Sequence, residues 1–176
     1  MRGKAHLISG AVAGAAAAYI TFGGSTVGAS ALIAASCVGS LLPDVDLPTS
    51  TAGKILKPIS LVISKMFGHR TITHAPLWIV PLAVVCFCAE RLFPGISDEN
   101  MIVLKNAVLG YLVGFVCHLI GDFLTVGGIP ALYPFSKHRM HLTPIESGKH
   151  DIVLTLITIL LSFVLLYFAQ KYVFGA

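Results

Sequence analysis

Seven side chains of this 176-residue chain could hold a metal ion: His6, Asp44, Asp46, His69, His74, His118 and Asp122. Imidazole nitrogen and carboxylate oxygen together suit a divalent cation, zinc first, with manganese and iron as alternatives. His118 and Asp122 are four residues apart and would share one face of a helix. Asp44 and Asp46, in Leu41-Leu42-Pro43-Asp44-Val45-Asp46, could place both carboxylates near one ion or one on each of two. Paired metals of that kind recur in phosphoester hydrolysis. His69 and His74 are five apart, which is not a one-face helical spacing, and Pro76 follows them. They fit a turn entering a helix, with one histidine a ligand and the other bonded to substrate or to a carboxylate. His69, His74 and Arg70 are therefore the candidate catalytic side chains, Arg70 as a planar clamp for a phosphate. Cys37, Cys86, Cys88 and Cys117 lie in apolar runs without the paired spacing of a zinc knot, and read as small core or lipid-facing residues.

The elements that must position these residues are apolar. Hydrophobic residues make up 56% of the chain and charged residues 11%, and the mean hydropathy is +0.86. A soluble domain carries about 25% charged residues. This composition excludes a disordered chain, a coiled coil and a nucleic-acid-coating protein. Five apolar segments stand out, near 7–22, 27–42, 76–93, 104–125 and 152–170. The last has no charged residue from Ile152 to Ala169 and meets the length rule for a spanning helix. Met1-Arg2-Gly3-Lys4 before an apolar run resembles a signal peptide, but His6 opens that run and a second apolar segment follows closely. A retained first helix is expected. The fold class expected is all-α, a single-domain polytopic membrane bundle of about five transmembrane helices.

Basic residues collect before the first segment (Arg2, Lys4) and in the connections 43–75 (Lys54, Lys57, Lys65, Arg70) and 126–151 (Lys137, Arg139, Lys149). The connections 23–26 and 94–103 carry none. The positive-inside bias places the N-terminus and both long connections in the cytoplasm, in a cell inner (plasma) membrane. All seven donor residues, together with His138, His141 and His150, then fall at the cytoplasmic end. Small residues lead toward them: Gly110 and Gly114 run back from His118 and Asp122, and Gly10 and Gly14 forward from His6. Glycines four apart let membrane helices approach closely. The expected result is a metal site at the cytoplasmic end, reached by two glycine seams.

Leu42-Pro43-Asp44-Val45-Asp46, Gly68-His69-Arg70-x-x-Thr73-His74 and His118-x-x-x-Asp122-x-x-Thr125, followed by Gly128 and Leu132-Tyr133-Pro134-Phe135, resemble the YdjM-like family of membrane-bound metal-dependent hydrolases. His6 matches that pattern too. The resemblance runs from His6 to about Asp151, where Asp151 stands in place of a family Glu. It implies an all-helical inner-membrane protein with a divalent-metal site of one or two ions. It also implies His6, Asp44, Asp46, His69, His74, His118 and Asp122 as site residues. A fainter similarity, by analogy alone, is to zinc-dependent phospholipase C and the P1-type nucleases.

The expected activity is metal-dependent hydrolysis of a phosphoester at the cytoplasmic face, with membrane lipid as partner and a lipid or small-molecule phosphoester as substrate. Lys137, His138, Arg139 and His141 could gather anionic headgroups. Nucleic acid is not expected, since the basic residues form no patch interleaved with aromatics. Two rivals come from other classes. A divalent-metal or proton transporter would want ligands near the bilayer midplane. A non-catalytic scaffold would use metal only to pin helices together.

Overall fold

The computed structural model describes residues 2–22 and 26–172. The short connection 23–25 lies outside the described residues, as do Met1 and the last four positions. Among the described residues seven α-helices follow in order: α1 (Gly3–Phe22), α2 (Thr26–Leu41), α3 (Thr51–Ile55), α4 (Lys57–Phe67), α5 (Ile79–Leu92), α6 (Asp98–Phe123) and α7 (Asp151–Tyr172). Among the described residues there is no strand, and a lone antiparallel bridge pairs Ile129 with Met140. The fold is an all-α membrane bundle.

Each of the five apolar segments forms a helix, but their lengths differ. Three stretches are long and apolar enough to cross a membrane: Val27–Asp46, Asp98–Phe123 and Asp151–Lys171. Helix α5 has 14 residues, about 21 Å at 1.5 Å per residue, short of the ~30 Å hydrocarbon core. Its start is delayed because Pro76 opens a separate 3-10 turn, Pro76–Trp78. Helix α6 begins six residues earlier than its apolar run suggests. Asp98 and Glu99 occupy its first turn, where acidic side chains favour the exposed N–H groups.

Helix α2 lies in the middle, with α1 and α6 packed on it, α5 beside α6, and α7 against α1 and α6. Both glycine seams grip α2. A Cβ on Gly110 would run into the Leu32 carbonyl, and one on Gly114 into the Ser36 carbonyl. Glycine at these two positions lets the α2 and α6 backbones touch. On the other side Ser36 Oγ donates to the Gly10 carbonyl at 2.7 Å. Packing is inverted relative to a soluble protein. His6, Ser36, Asp46, His74, His118 and Asp122 are fully buried, whereas Leu160, Phe163 and Ile152 on α7 face outward.

The connection 43–75 is not a plain loop. Helix α2 runs into a 3-10 turn, Leu42–Asp46, with Pro43 in its first positions, where the missing N–H costs nothing. Ser50 caps α3, accepting from Gly53 N and donating to the Asp44 carbonyl at 2.7 Å. Helix α4 carries an outward stripe of Ile59, Val62 and Met66, with Ile55 before it. It ends at Gly68, whose φ of +76° suits only glycine comfortably.

A buried histidine and aspartate cluster as candidate metal centre

The donor residues come from four places. His6 sits in the first turns of α1, Asp44 and Asp46 on the 3-10 turn after α2, and His69 and His74 between α4 and α5. His118 and Asp122 lie on the last turns of α6. Because α2 and α6 end where α1 begins, all are brought to one end of the bundle.

Four donor atoms approach as a compact group: His74 Nε2, His118 Nε2, Asp122 Oδ2 and Asp44 Oδ1. The two imidazole nitrogens are 3.1 Å apart. Asp122 Oδ2 lies 3.4 Å from His74 Nε2 and 3.5 Å from His118 Nε2. Asp44 Oδ1 lies 3.5 Å from His74 Nε2 and 3.8 Å from His118 Nε2. Tetrahedral ligands at about 2.0–2.1 Å from zinc are about 3.3–3.4 Å from one another. These five separations, 3.1–3.8 Å, are close to that spacing. A second group of possible ligands, Asp44, Asp46, His69 and His74, shares two members with the first.

The atoms behind the donors fix their orientation. His118 Nδ1 donates to the Ser40 carbonyl at 2.8 Å, which leaves Nε2 as the lone-pair nitrogen. Asp46 organises the 69–74 segment. Its Oδ1 accepts from His69 Nδ1 at 2.6 Å. Its Oδ2 accepts from the Arg70 backbone N–H at 2.9 Å and from the Thr73 hydroxyl, and lies 3.2 Å from His74 Nδ1. His6 stacks on His118 with ring centroids 3.9 Å apart. His6 Nε2 is 3.3 Å from Asp122 Oδ1, and neither of its ring nitrogens makes a hydrogen bond among the described residues.

Arg70 does not extend into the cleft as a free phosphate clamp. Its Nη2 donates to Asp122 Oδ1 at 2.9 Å, and its side chain is 8% exposed. It reaches that position from a backbone φ of +58°, in the left-handed region, which is uncommon outside glycine. The guanidinium passes where Gly127 has no side chain. Strain of this kind collects at functional sites.

Charge tests the fit of a cation independently. Three carboxylates (Asp44, Asp46, Asp122) face one permanent cation, Arg70, so the group falls short by the charge of one divalent ion. Buried carboxylates left uncompensated are costly. In the protein alone, His74 answers part of this demand. Burial opposes its charge, but Asp122, Asp44 and Asp46 outweigh burial and push its pKa up to about 10. The residues present fit a divalent ion.

A cleft of about 530 Å³ opens on the cluster. Asp44, His69 and Arg70 line it together with Arg2, Lys54 and Arg139. Sequence reasoning missed Ser40, and named Thr73 in a motif without giving it a role. A backbone carbonyl leaves no mark in the sequence, and a motif threonine does not show which carboxylate it will meet. Asp151, which stands in place of a family Glu, accepts from Gly148 N at 3.1 Å and lies 3.8 Å from Arg2.

Fold and donor set together define a membrane-embedded helical protein with a buried Asp/His cluster able to hold a metal ion. The family model described as "YdjM inner membrane protein" matches residues 1–175, and the chain belongs to that family. It is 36% identical over 135 residues to "Uncharacterized protein YvsG" of Bacillus subtilis (strain 168), covering 76% of this chain and 74% of that one. It is 32% identical over 103 residues to "Inner membrane protein YdjM" of Escherichia coli (strain K12). The same match is found with "Inner membrane protein YdjM" of Shigella flexneri, covering 58% of this chain and 49% of that protein. The aligned region thus spans about three quarters of the Bacillus protein and about half of the other two. No solved structure matches.

Proposed function

We propose that the chain is a metal-dependent hydrolase acting on a phosphoester at the cytoplasmic surface of the membrane. The observation that carries this reading is the compact set of four donors, Asp44, His74, His118 and Asp122, beside a cleft that Arg2, Lys54 and Arg139 also line. Asp44, His74, His118 and Asp122 would hold the ion. A divalent ion there supplies Lewis acidity toward a phosphoryl oxygen and toward water.

The protein's own groups do the rest. Asp46 holds His74 and His69 in place, and Arg70 and His6 flank the outer oxygen of Asp122. His69 is part-exposed and lines the cleft, with Nδ1 fixed to Asp46 Oδ1. Its Nε2 is the atom that exchanges a proton with the attacking or leaving oxygen, an Asp-oriented histidine acting as general acid–base. A cytoplasmic orientation rests on the basic residues at this end.

A transporter is disfavoured because the donors sit at helix ends, not at the middle of broken helices. The test is metal analysis of the purified protein together with phosphate release from phosphatidic acid vesicles supplied with zinc or manganese. Turnover is expected, and Asp122→Ala and His118→Ala should each abolish it. Turnover surviving both changes, or purified protein devoid of metal, would refute the reading. Bound metal that governs stability without turnover would favour the scaffold.

A further inference from the structure

We propose that Lys54 and Arg139, with Arg2 beside them, form a phosphate-recognition site in the cleft over the cluster, holding a substrate's phosphate-bearing headgroup. This names the substrate contact of the site above and rests on the hydrolase reading for its chemical purpose.

Three cations from distant stretches converge on one cleft: Arg2 ahead of α1, Lys54 on α3 and Arg139 in the 124–150 connection. Lys54 makes no ion pair among the described residues, and Arg2 has only a loose one, with its side chain 74% exposed. Arg139 is held at the rim. One of its guanidinium nitrogens, Nη2, donates to the His69 carbonyl at 2.7 Å, and its neighbour Met140 is bonded in both directions to Ile129. The remaining donors of its planar fork are available to an anion. Arg70, the sequence-based choice for this role, is already committed to Asp122. The structure also separates Arg139 from Lys137, His138 and His141, which do not line the cleft. The carboxylate lining the cleft is Asp44, one of the four clustered donors, so a bound cation would leave the cleft basic. Cations converging from several directions select a multiply charged, multi-oxygen anion, which is the chemistry of a phosphate. A volume of about 530 Å³ is in the range of small-molecule sites.

The full chain, purified in detergent with its metal, is titrated calorimetrically with dioctanoyl phosphatidic acid and separately with inorganic phosphate. The Lys54→Ala/Arg139→Ala double variant should bind the lipid at least about tenfold more weakly. Lys54→Arg/Arg139→Lys should restore most of the affinity, and Lys137→Ala should leave it unchanged. Lys54→Ala alone, at an exposed position, should weaken binding in the same direction and guards against a folding defect in the double variant. Wild-type affinity in the double variant, or an equal loss in Lys137→Ala, would overturn the site. Inorganic phosphate binding as tightly as the lipid supports the site with a free phosphate group as ligand. Binding of the lipid alone supports it with a bilayer headgroup. Turnover measured in parallel separates this inference from the hydrolase reading. Binding that depends on Lys54 and Arg139 without turnover retires the hydrolase and keeps the site. Turnover with an unchanged KM in the double variant retires the site and keeps the hydrolase.

Discussion

Helices α6 and α7 are both long and apolar enough to span a membrane, and both bury polar side chains, but the hydroxyls of α7 donate within their own helix whereas the His and Asp of α6 bond to other elements. On α7, Thr155 donates to the Asp151 carbonyl, Thr158 to Leu154 and Ser162 to Thr158, each one turn back on the same helix, and Ser162 Oγ also lies 2.9 Å from Cys117 Sγ of α6. On α6, the partners come from elsewhere. His118 donates to Ser40 at the end of α2, and Asp122 accepts from Arg70 in the connection between α4 and α5. A hydroxyl bonded to its own helix makes no demand on the rest of the fold. An imidazole or carboxylate that reaches across elements does, because it is stable only where those elements meet. Polar residues in an apolar helix therefore point to a site when their type prevents local satisfaction.

The sharpest test of this contrast is Asp122→Asn, which keeps the shape and removes the charge. It should lower metal affinity by more than about 100-fold, read by elemental analysis and calorimetry. Asp46→Asn comes next. The donors remain but His69 and His74 lose their carboxylate, and metal affinity should fall about 10–100-fold in the same titration.

Proton linkage gives a smaller, graded effect. In the metal-free protein, His74 keeps its proton up to about pH 10, against about 6.5 for an unfolded imidazole. Its folded pKa is raised, so its stabilisation is complete below the unfolded value and is lost as pH rises through the folded one. Melting of the metal-free protein should accordingly show declining stability from neutral pH toward about 10. A cation at Nε2 must displace that proton, so metal affinity should rise with pH, by up to about tenfold per unit. Proton release measured in buffers of different ionisation enthalpy checks this, and no release would mean that His74 is already neutral.

Gly114→Ala should destabilise by about 1–3 kcal/mol, since its methyl meets the Ser36 carbonyl and forces α2 and α6 apart. Leu160→Ala on the lipid-facing side of α7, compared in the same thermal melts, should change little. The smallest effect is expected for Thr158→Val, under about 1 kcal/mol and with metal binding intact. A loss of metal from that variant would break the comparison.

The one-ended gathering of donors was legible because the basic connections set the direction of successive apolar segments, and the donors fall at the same end of each. The shared face of His118 and Asp122 follows from their spacing of four. The two glycine seams were also legible, although not that both would dock on α2. The division of labour between Asp44 and Asp46 was not. Both are carboxylates in one short turn, and only the path of the 69–74 segment makes Asp46 the anchor for His69, Arg70 and Thr73. The commitment of Arg70 to Asp122 was hidden for a similar reason, since it depends on a left-handed backbone at a non-glycine position. Helices α3 and α4 were passed over because lysines at 54, 57 and 65 read as loop charge. The spacing of Ile55, Ile59, Val62 and Met66 was the signal that could have shown an amphipathic helix.

The four clustered donors span the chain from Asp44 to Asp122, and His6 joins them from its beginning. No ribosome-bound fragment ending before α6 can own this centre, however well its early helices have entered the bilayer. An ion held by these four residues would therefore be loaded late in biogenesis, once α6 has been made.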